Sequence, residues 1–178
     1  MKTMNKENVD EQHSTLPACR KSSAVVPADK KHPPISEAIS DLTCRNLIHA
    51  AKEAMGKAYA PYSGFRVGAA LLAKNKKVYS GCNIENAAYG PSNCAERTAI
   101  FKAVSEGVKD FLAIAIVGGK EGNITDLCPP CGVCRQVMAE FCKTDEFYVI
   151  LARSEEDYWI YTLEELLPMG FGAANLTR

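Results

Sequence analysis

From about Ile39 onward, apolar residues recur along the chain with two alternating spacings. Apolar positions three or four residues apart predict a helix that starts at a capping Ser40 or Asp41 and ends near Ala58. Two short strands around a polar tetrapeptide predict a hairpin, and a nearly continuous apolar run predicts a strand buried on both faces. Strands that alternate with helices predict an α/β fold, a three-layer αβα sandwich on a mixed sheet.

The predicted elements can be placed along the chain by their caps and turn residues. The first half contains a helix over 40–58, strands over 65–73 and 78–83, a loop over 84–93, and a helix over 94–106 that Ser92 or Asn93 caps and Gly107 ends. The second half contains a strand over 111–117, a loop over 118–123, a helix over 131–142, strands over 146–152 and 159–161, and a helix over 163–167 opened by a capping box from Thr162 to Glu165.

The residues before the first helix differ in character from the rest. Residues 1–38 are polar, contain prolines and lack periodicity, which predicts a disordered or loosely held extension. Residues 39–178 are then one folded domain, and a chain of 178 residues with 47% hydrophobic residues can bury a sizeable core. A regulatory or targeting role for the extension is the alternative.

Composition narrows the class of partner. The 21 basic residues balance the 21 acidic ones, and no basic arm or stripe appears, so we expect a small-molecule substrate and no nucleic acid. We also expect no membrane span and no signal peptide, which together predict a soluble, cytoplasmic protein. In a reducing compartment eight cysteines indicate metal binding more than disulfides.

Two short motifs supply the residues of a catalytic zinc site. Cys94 precedes Glu96 by two residues, and Cys131 and Cys134 follow as a Cys-x-x-Cys pair. Three thiolates can hold one Zn²⁺ per subunit and leave a position open for water, with the carboxylate beside it as proton carrier. This arrangement resembles the zinc site of the nucleobase deaminases. Three thiolates leave a net charge of minus one, and Arg97 can donate to the sulfurs and offset part of it.

Other interpretations of these cysteines remain open. Cys128 could join the three as a fourth ligand of a closed, structural zinc site, or the cysteines could be scattered core residues. A closed site would leave Glu96 and Arg97 without a purpose. His49 is the last histidine in the chain, so a metal site beyond it has to use cysteines and carboxylates.

Five ordered blocks of sequence resemble the small, single-domain cytidine deaminases. They are Tyr62-Ser63 with Phe65-x-Val67-Gly68-Ala69-Ala70, Gly81-Cys82-Asn83-Ile84-Glu85-Asn86-Ala87, Cys94-Ala95-Glu96-Arg97-Thr98-Ala99, Pro130-Cys131-Gly132-x-Cys134-Arg135-Gln136, and Leu166-Leu167-Pro168 with Phe171-Gly172. The resemblance implies a five-stranded mixed sheet sandwiched by helices, in a homotetramer whose active sites are shared between subunits.

The resemblance also implies roles for single residues. Asn83 and Glu85 would bind the ribose 3′-hydroxyl, Phe65 would stack on the pyrimidine, and the Ala95 backbone N–H would meet the base carbonyl. A neighbouring subunit would contribute Tyr89 and Phe171 to the pocket.

The implied activity is pyrimidine salvage by hydrolytic deamination of cytidine and deoxycytidine to uridine, deoxyuridine and ammonia. Hydroxide generated at zinc would attack C4 while Glu96 relays protons. Pro129 and Val133 stand where the family commonly has Ser and Ala. The alternatives are a deaminase for an antibiotic nucleoside, a nucleotide or polynucleotide deaminase, and a structural-zinc binding module.

Overall fold

The computed structural model describes residues 39–176, so the predicted extension over 1–38 lies outside the described residues. The helices in this range are α1 (Asp41–Met55), α2 (Ala95–Ser105), α3 (Gly132–Phe141) and α4 (Leu163–Leu166), followed by a 3₁₀ turn over Ala173–Asn175. The strands are β1 (Phe65–Ala73), β2 (Val78–Cys82), β3 (Phe111–Lys120), β4 (Tyr148–Ala152) and β5 (Tyr158–Thr162). None of the helices within 39–176 is long and apolar enough to cross a bilayer.

The strands form one five-stranded mixed sheet in the order β2-β1-β3-β4-β5. β3 and β4 pair in parallel, and the other three neighbours of the sheet pair antiparallel. The parallel pair requires a crossover connection. That crossover carries α3 and the Cys-x-x-Cys pair, so the topology itself brings the second motif towards one face of the sheet.

Alternating residues of the strands bury two separate apolar cores. On β1, Ala69 and Leu71 pack with α2 and α3, whereas Ala70 and Leu72 pack with α1 on the opposite face. Since side chains along a strand point alternately to the two faces, a run of buried residues in β1 and β3 means that helices cover both sides. The predicted three-layer αβα sandwich is therefore confirmed.

A glycine in β2 sets how closely α2 approaches the sheet. A Cβ atom added to Gly81 would lie 2.5 Å from the Ala95 carbonyl oxygen and 2.5 Å from the Ala99 amide nitrogen. The backbone of the first turn of α2 thus lies directly on β2. Close packing against the backbone of β2 therefore holds the residues at the start of this helix in place.

Several predicted boundaries differ from the observed ones. The Ser40 cap of α1 and the Thr162–Glu165 capping box of α4 are confirmed. The helix predicted to reach Ala58 ends at Met55, where Gly56 is its C-cap. The loop predicted over 118–123 was wrong in part, because Gly118 and Gly119 continue β3 and pair with β1.

Two predicted helix starts also shift. Cys94 itself is the N-cap of α2, in place of the predicted Ser92 or Asn93, and Cys131 is the N-cap of α3. Both cysteines have extended backbone angles, with ψ of 156° at Cys94 and 165° at Cys131. Neither side chain makes a capping hydrogen bond, so neither thiol is used to cap its helix.

Candidate active site

Three cysteine sulfurs meet where the N-termini of α2 and α3 converge. The ligand atoms of Cys94, Cys131 and Cys134 all lie within 4.8 Å of one another, and the Cys94 and Cys131 sulfurs are 3.9 Å apart. Helix N-termini present free N–H groups and partial positive charge, which favour thiolates. In the part of the chain that the structure describes, this is the one group of potential ligands close enough to share a metal ion.

The distance between two of the sulfurs, those of Cys94 and Cys131, fits a shared zinc ion. Sulfurs at about 2.3 Å from a tetrahedral zinc ion lie roughly 3.8 Å from one another. The observed 3.9 Å agrees with this value. Cys128 is not part of the group, which argues against the closed four-cysteine alternative within residues 39–176.

The pKa values of two of these thiols are shifted in opposite directions by their mutual contact. Contacts with Cys134 and with the Arg97 guanidinium lower the pKa of the Cys94 thiol to about 5. The same contact with Cys94, together with burial, raises the pKa of Cys134. Adjacent thiolates repel one another, and a bound divalent cation would offset that repulsion.

The Arg97 guanidinium lies against the Cys94 sulfur. Its Nη2 is 3.6 Å from the Cys94 sulfur and donates to the Ser92 carbonyl oxygen at 3.3 Å. Its Nε is buried and has no hydrogen-bond partner among the described residues. The guanidinium is therefore held beside the Cys94 sulfur, where its positive charge favours the thiolate form.

Glu96 is a buried carboxyl group in the first turn of α2. Its side chain is 4% exposed, and no other polar or charged residue among the described ones is classed as buried. Burial raises its pKa, and the neighbouring Cys94 thiolate acts in the same direction. A raised pKa makes a carboxyl group a better proton acceptor, and a proton carrier has to accept protons as well as return them.

A cleft of about 280 Å³ opens over Glu96 and two of the sulfurs. Six of the residues predicted for the site line it: Asn83, Glu85, Cys94, Ala95, Glu96 and Cys131. The sequence assigned no substrate-binding role to the other six lining residues, although it left Cys128 open as a fourth zinc ligand. These six are Val67, Ile84, Ser92, Asn93, Cys128 and Pro129. The sequence signal that could have identified these six residues is that they lie next to the recognised motifs.

At one end of the cleft, Asn83 makes hydrogen bonds to the start of β1, and Glu85 makes hydrogen bonds to the turn just before it. The Asn83 amide accepts from the Val67 N–H at 2.8 Å and donates to the Phe65 carbonyl oxygen at 2.8 Å. Glu85 accepts from the Ser63 hydroxyl and from the backbone N–H groups of Tyr62 and Ser63, at 2.9 and 3.2 Å. The Ser63 hydroxyl is the largest of the influences that lower the pKa of Glu85. Both side chains still have hydrogen-bonding capacity for a ligand.

The three predicted aromatic contacts are not among the cleft-lining residues of this chain. Phe65, Tyr89 and Phe171 are 41%, 77% and 59% exposed. Tyr89 makes an edge contact with Tyr62, with ring centroids 6.4 Å apart. Phe171 lines a different depression, beside the end of α3, and its carbonyl oxygen accepts from Gln136 Nε2 at 2.8 Å.

Arg135 connects the metal-ligand loop to the C-terminal part of the chain. Its Nε donates to the Pro130 carbonyl oxygen at 2.8 Å, directly before Cys131, and its Nη1 donates to the Leu166 carbonyl oxygen at 2.6 Å. Carbonyls at the end of a helix lack partners within the helix, and Leu166 ends α4. The sequence alone gave no indication of this second contact.

Comparison with known proteins defines the class to which this fold and site belong. Residues 43–151 match the family model described as the cytidine and deoxycytidylate deaminase zinc-binding region. A cytidine deaminase of Sporosarcina psychrophila is 50% identical over 131 residues, which cover 74% of this chain and 93% of the relative. One from Halalkalibacterium halodurans is 52% identical over 130 residues, which cover 73% and 95%.

Solved structures agree with this similarity. The crystal structure of a cytidine deaminase from Burkholderia pseudomallei is 48% identical, with a TM-score of 0.65, and the match covers 71% of this chain and 97% of that one. The chain belongs to the cytidine deaminase family.

Proposed function

We propose that this protein catalyses the hydrolytic deamination of cytidine and deoxycytidine to uridine and deoxyuridine, with release of ammonia. The observation that carries the proposal is the convergence of Cys94, Cys131 and Cys134 beside the buried Glu96 in one cleft. The relatives at about half identity are named cytidine deaminases, which supports this choice of substrate.

The three cysteines would hold one zinc ion per subunit. When bound, zinc supplies a Lewis acid that lowers the pKa of a coordinated water to about 7. Arg97 would limit the negative charge that three thiolates place on the metal, through its contact with the Cys94 sulfur at 3.6 Å.

Glu96 would move the protons of the reaction. Its carboxylate accepts a proton from the attacking water and delivers one to N3 of the pyrimidine, which makes C4 more electrophilic. It then relays a proton to the 4-amino group, which leaves as ammonia. The burial that raises the pKa of Glu96 favours its protonated form between these transfers.

The remaining predicted residues would orient the nucleoside. The Ala95 backbone N–H, at the free N-terminus of α2, would donate to the base carbonyl. Asn83 and Glu85 would bind the ribose 3′-hydroxyl with the donors and acceptors that their contacts to β1 and to the 62–63 turn leave available. Phe65 would stack on the pyrimidine.

A homotetramer would complete the pocket. Tyr89 and Phe171 are exposed in the single chain and do not line its cleft, which suits residues that a neighbouring subunit receives. If sedimentation showed a stable, active monomer, these two roles would be withdrawn. We assign the enzyme to pyrimidine salvage in the cytoplasm as part of the same proposal.

The test is an ultraviolet assay with cytidine on the wild type and on Glu96→Gln. The variant keeps the size of the side chain and all three sulfurs, so it should retain zinc by metal analysis and keep its melting temperature. Loss of the proton carrier should lower kcat by at least about 100-fold. Near-normal turnover by the variant would show that Glu96 is not the proton carrier.

A further inference from the structure

Cys128 is a cleft-lining cysteine outside the three-sulfur group. It is half-buried, and its side chain packs against the core on the α2–α3 side of the sheet. Pro129 follows it in the wall of the cleft, so the two residues form one continuous stretch of wall.

The backbone of β3 lies immediately behind this side chain. A Cβ atom added to Gly118 would be 2.8 Å from the Cys128 sulfur and 3.2 Å from its Cβ. Real Cβ atoms essentially never approach another atom to 2.8 Å, so the space between Cys128 and the sheet is already filled. A side chain larger than cysteine at this position cannot retreat towards β3 and has to extend into the cleft.

We infer that Cys128 limits the bulk that the cleft accepts beside the reacting carbon of the pyrimidine, an inference that rests on the proposed function. In a pyrimidine C4 has two ring neighbours, N3 and C5. If Glu96 serves N3, the C5 edge lies on the other side of C4, and we place that edge against the stretch of wall formed by Cys128 and Pro129. Cys128 is then a specificity-determining residue for substituents at C5.

The effect of a substitution follows from the filled space behind Cys128. Cys128→Ala opens the wall, and Cys128→Leu adds bulk that can go only into the cleft. One methyl group in an apolar pocket changes discrimination by about 10- to 200-fold. We therefore expect kcat/KM for 5-methylcytidine relative to cytidine to rise about 10-fold in Cys128→Ala and to fall in Cys128→Leu.

The experiment is a competition assay with cytidine and 5-methylcytidine in one reaction. The ratio of the two rates does not depend on the concentration of active enzyme, so a partial loss of folding cancels. Cys142→Ala is the matched control, because Cys142 is also half-buried and packs against the same core but does not line the cleft. Its ratio should equal that of the wild type.

A second pair of variants tests the contact with β3. Gly118→Ala should press Cys128 towards the cleft and lower the ratio for 5-methylcytidine, and it should lower the ratio much less in the Cys128→Ala background. Equal effects of Gly118→Ala in both backgrounds would contradict the contact. If Gly118→Ala does not fold, the two Cys128 variants decide the question alone.

The outcomes separate this inference from the proposed function. A wild type that deaminates neither nucleoside would refute the proposed function and this inference with it. A wild type that deaminates cytidine, with unchanged ratios in both Cys128 variants or with an equal change in Cys142→Ala, would overturn only the role of Cys128.

Discussion

Replacing Gly81 by alanine should displace the start of α2 and with it Cys94, one of the three proposed metal ligands. The added Cβ would meet the Ala95 carbonyl oxygen and the Ala99 amide nitrogen at 2.5 Å, about 0.9 Å short of the 3.4 Å at which ordinary contact begins. Both atoms belong to the backbone of α2, so no side chain can rotate away. The helix start, with Cys94 as its N-cap, has to move by a comparable distance.

Such a displacement has consequences for both stability and chemistry. Forcing extra bulk into a packed core costs about 1–3 kcal/mol, which lowers the melting temperature of a chain of this size by roughly 2–12 °C. Cys131 and Cys134 lie on α3 and do not move with α2, so the 3.9 Å spacing between the Cys94 and Cys131 sulfurs is lost. A misplacement of 1 Å costs about 100-fold in rate, and we expect that loss in kcat.

The assay combines thermal melting, zinc affinity by chelator competition, and turnover of cytidine. Gly56→Ala is the matched control, because Gly56 has α-helical angles and its added Cβ would be 3.4 Å from the nearest atom. The control should behave like the wild type in all three measurements. If Gly81→Ala also keeps its melting temperature, zinc affinity and turnover within twofold, the argument from backbone contact is refuted.

Three further predictions follow from other contacts. Ser40→Ala removes the oxygen that accepts from the Thr43 N–H at 3.2 Å, so the free energy of unfolding in urea should fall by about 1 kcal/mol, and an unchanged value would contradict the cap. The lowered pKa of Glu85 means that its carboxylate stabilises the fold above its ordinary pKa of 4.5, and that this contribution is lost as the pH falls through the lowered value. The urea midpoints of the wild type and Glu85→Gln should therefore converge below pH 4.5, and parallel curves would oppose this interpretation. Removal of metal by a chelator should lower the melting temperature, which Zn²⁺ and not Mg²⁺ should restore; restoration by both ions would exclude a thiolate site.

The fold could be predicted well wherever local signals and tertiary context agree. The capping box at Thr162 requires only residues that are neighbours in sequence, and it was predicted correctly. Gly118 and Gly119 carry a strong loop signal, yet β1 supplies the hydrogen-bonding partners that keep them in β3. Glycine in a strand is decided by what approaches its backbone, and the sequence does not show that approach.

The candidate site also contains features that the local sequence predicts and features that depend on tertiary contacts. The spacing of Cys94, Cys131 and Cys134 predicted a shared metal, and the structure brings their sulfurs together. The structure also shows that Asn83 makes hydrogen bonds to β1 and that Glu85 makes hydrogen bonds to the turn before β1, contacts that join residues 16 to 23 positions apart in the sequence. The composition of the remaining wall, including Cys128, depends on how β3 and the loop before α3 pack, and no local pattern reports that packing.

Arg135 links the C-terminal part of the chain to the loop that carries Cys131. The same guanidinium fastens the Pro130 carbonyl beside Cys131 and the Leu166 carbonyl at the close of α4. Proteolysis that removes only residues after α4 would leave both hydrogen bonds of Arg135 intact. Removal of α4 would eliminate the hydrogen bond from Arg135 to the Leu166 carbonyl oxygen. Nicking near residue 166 should then weaken zinc retention, even though every ligand would still be present.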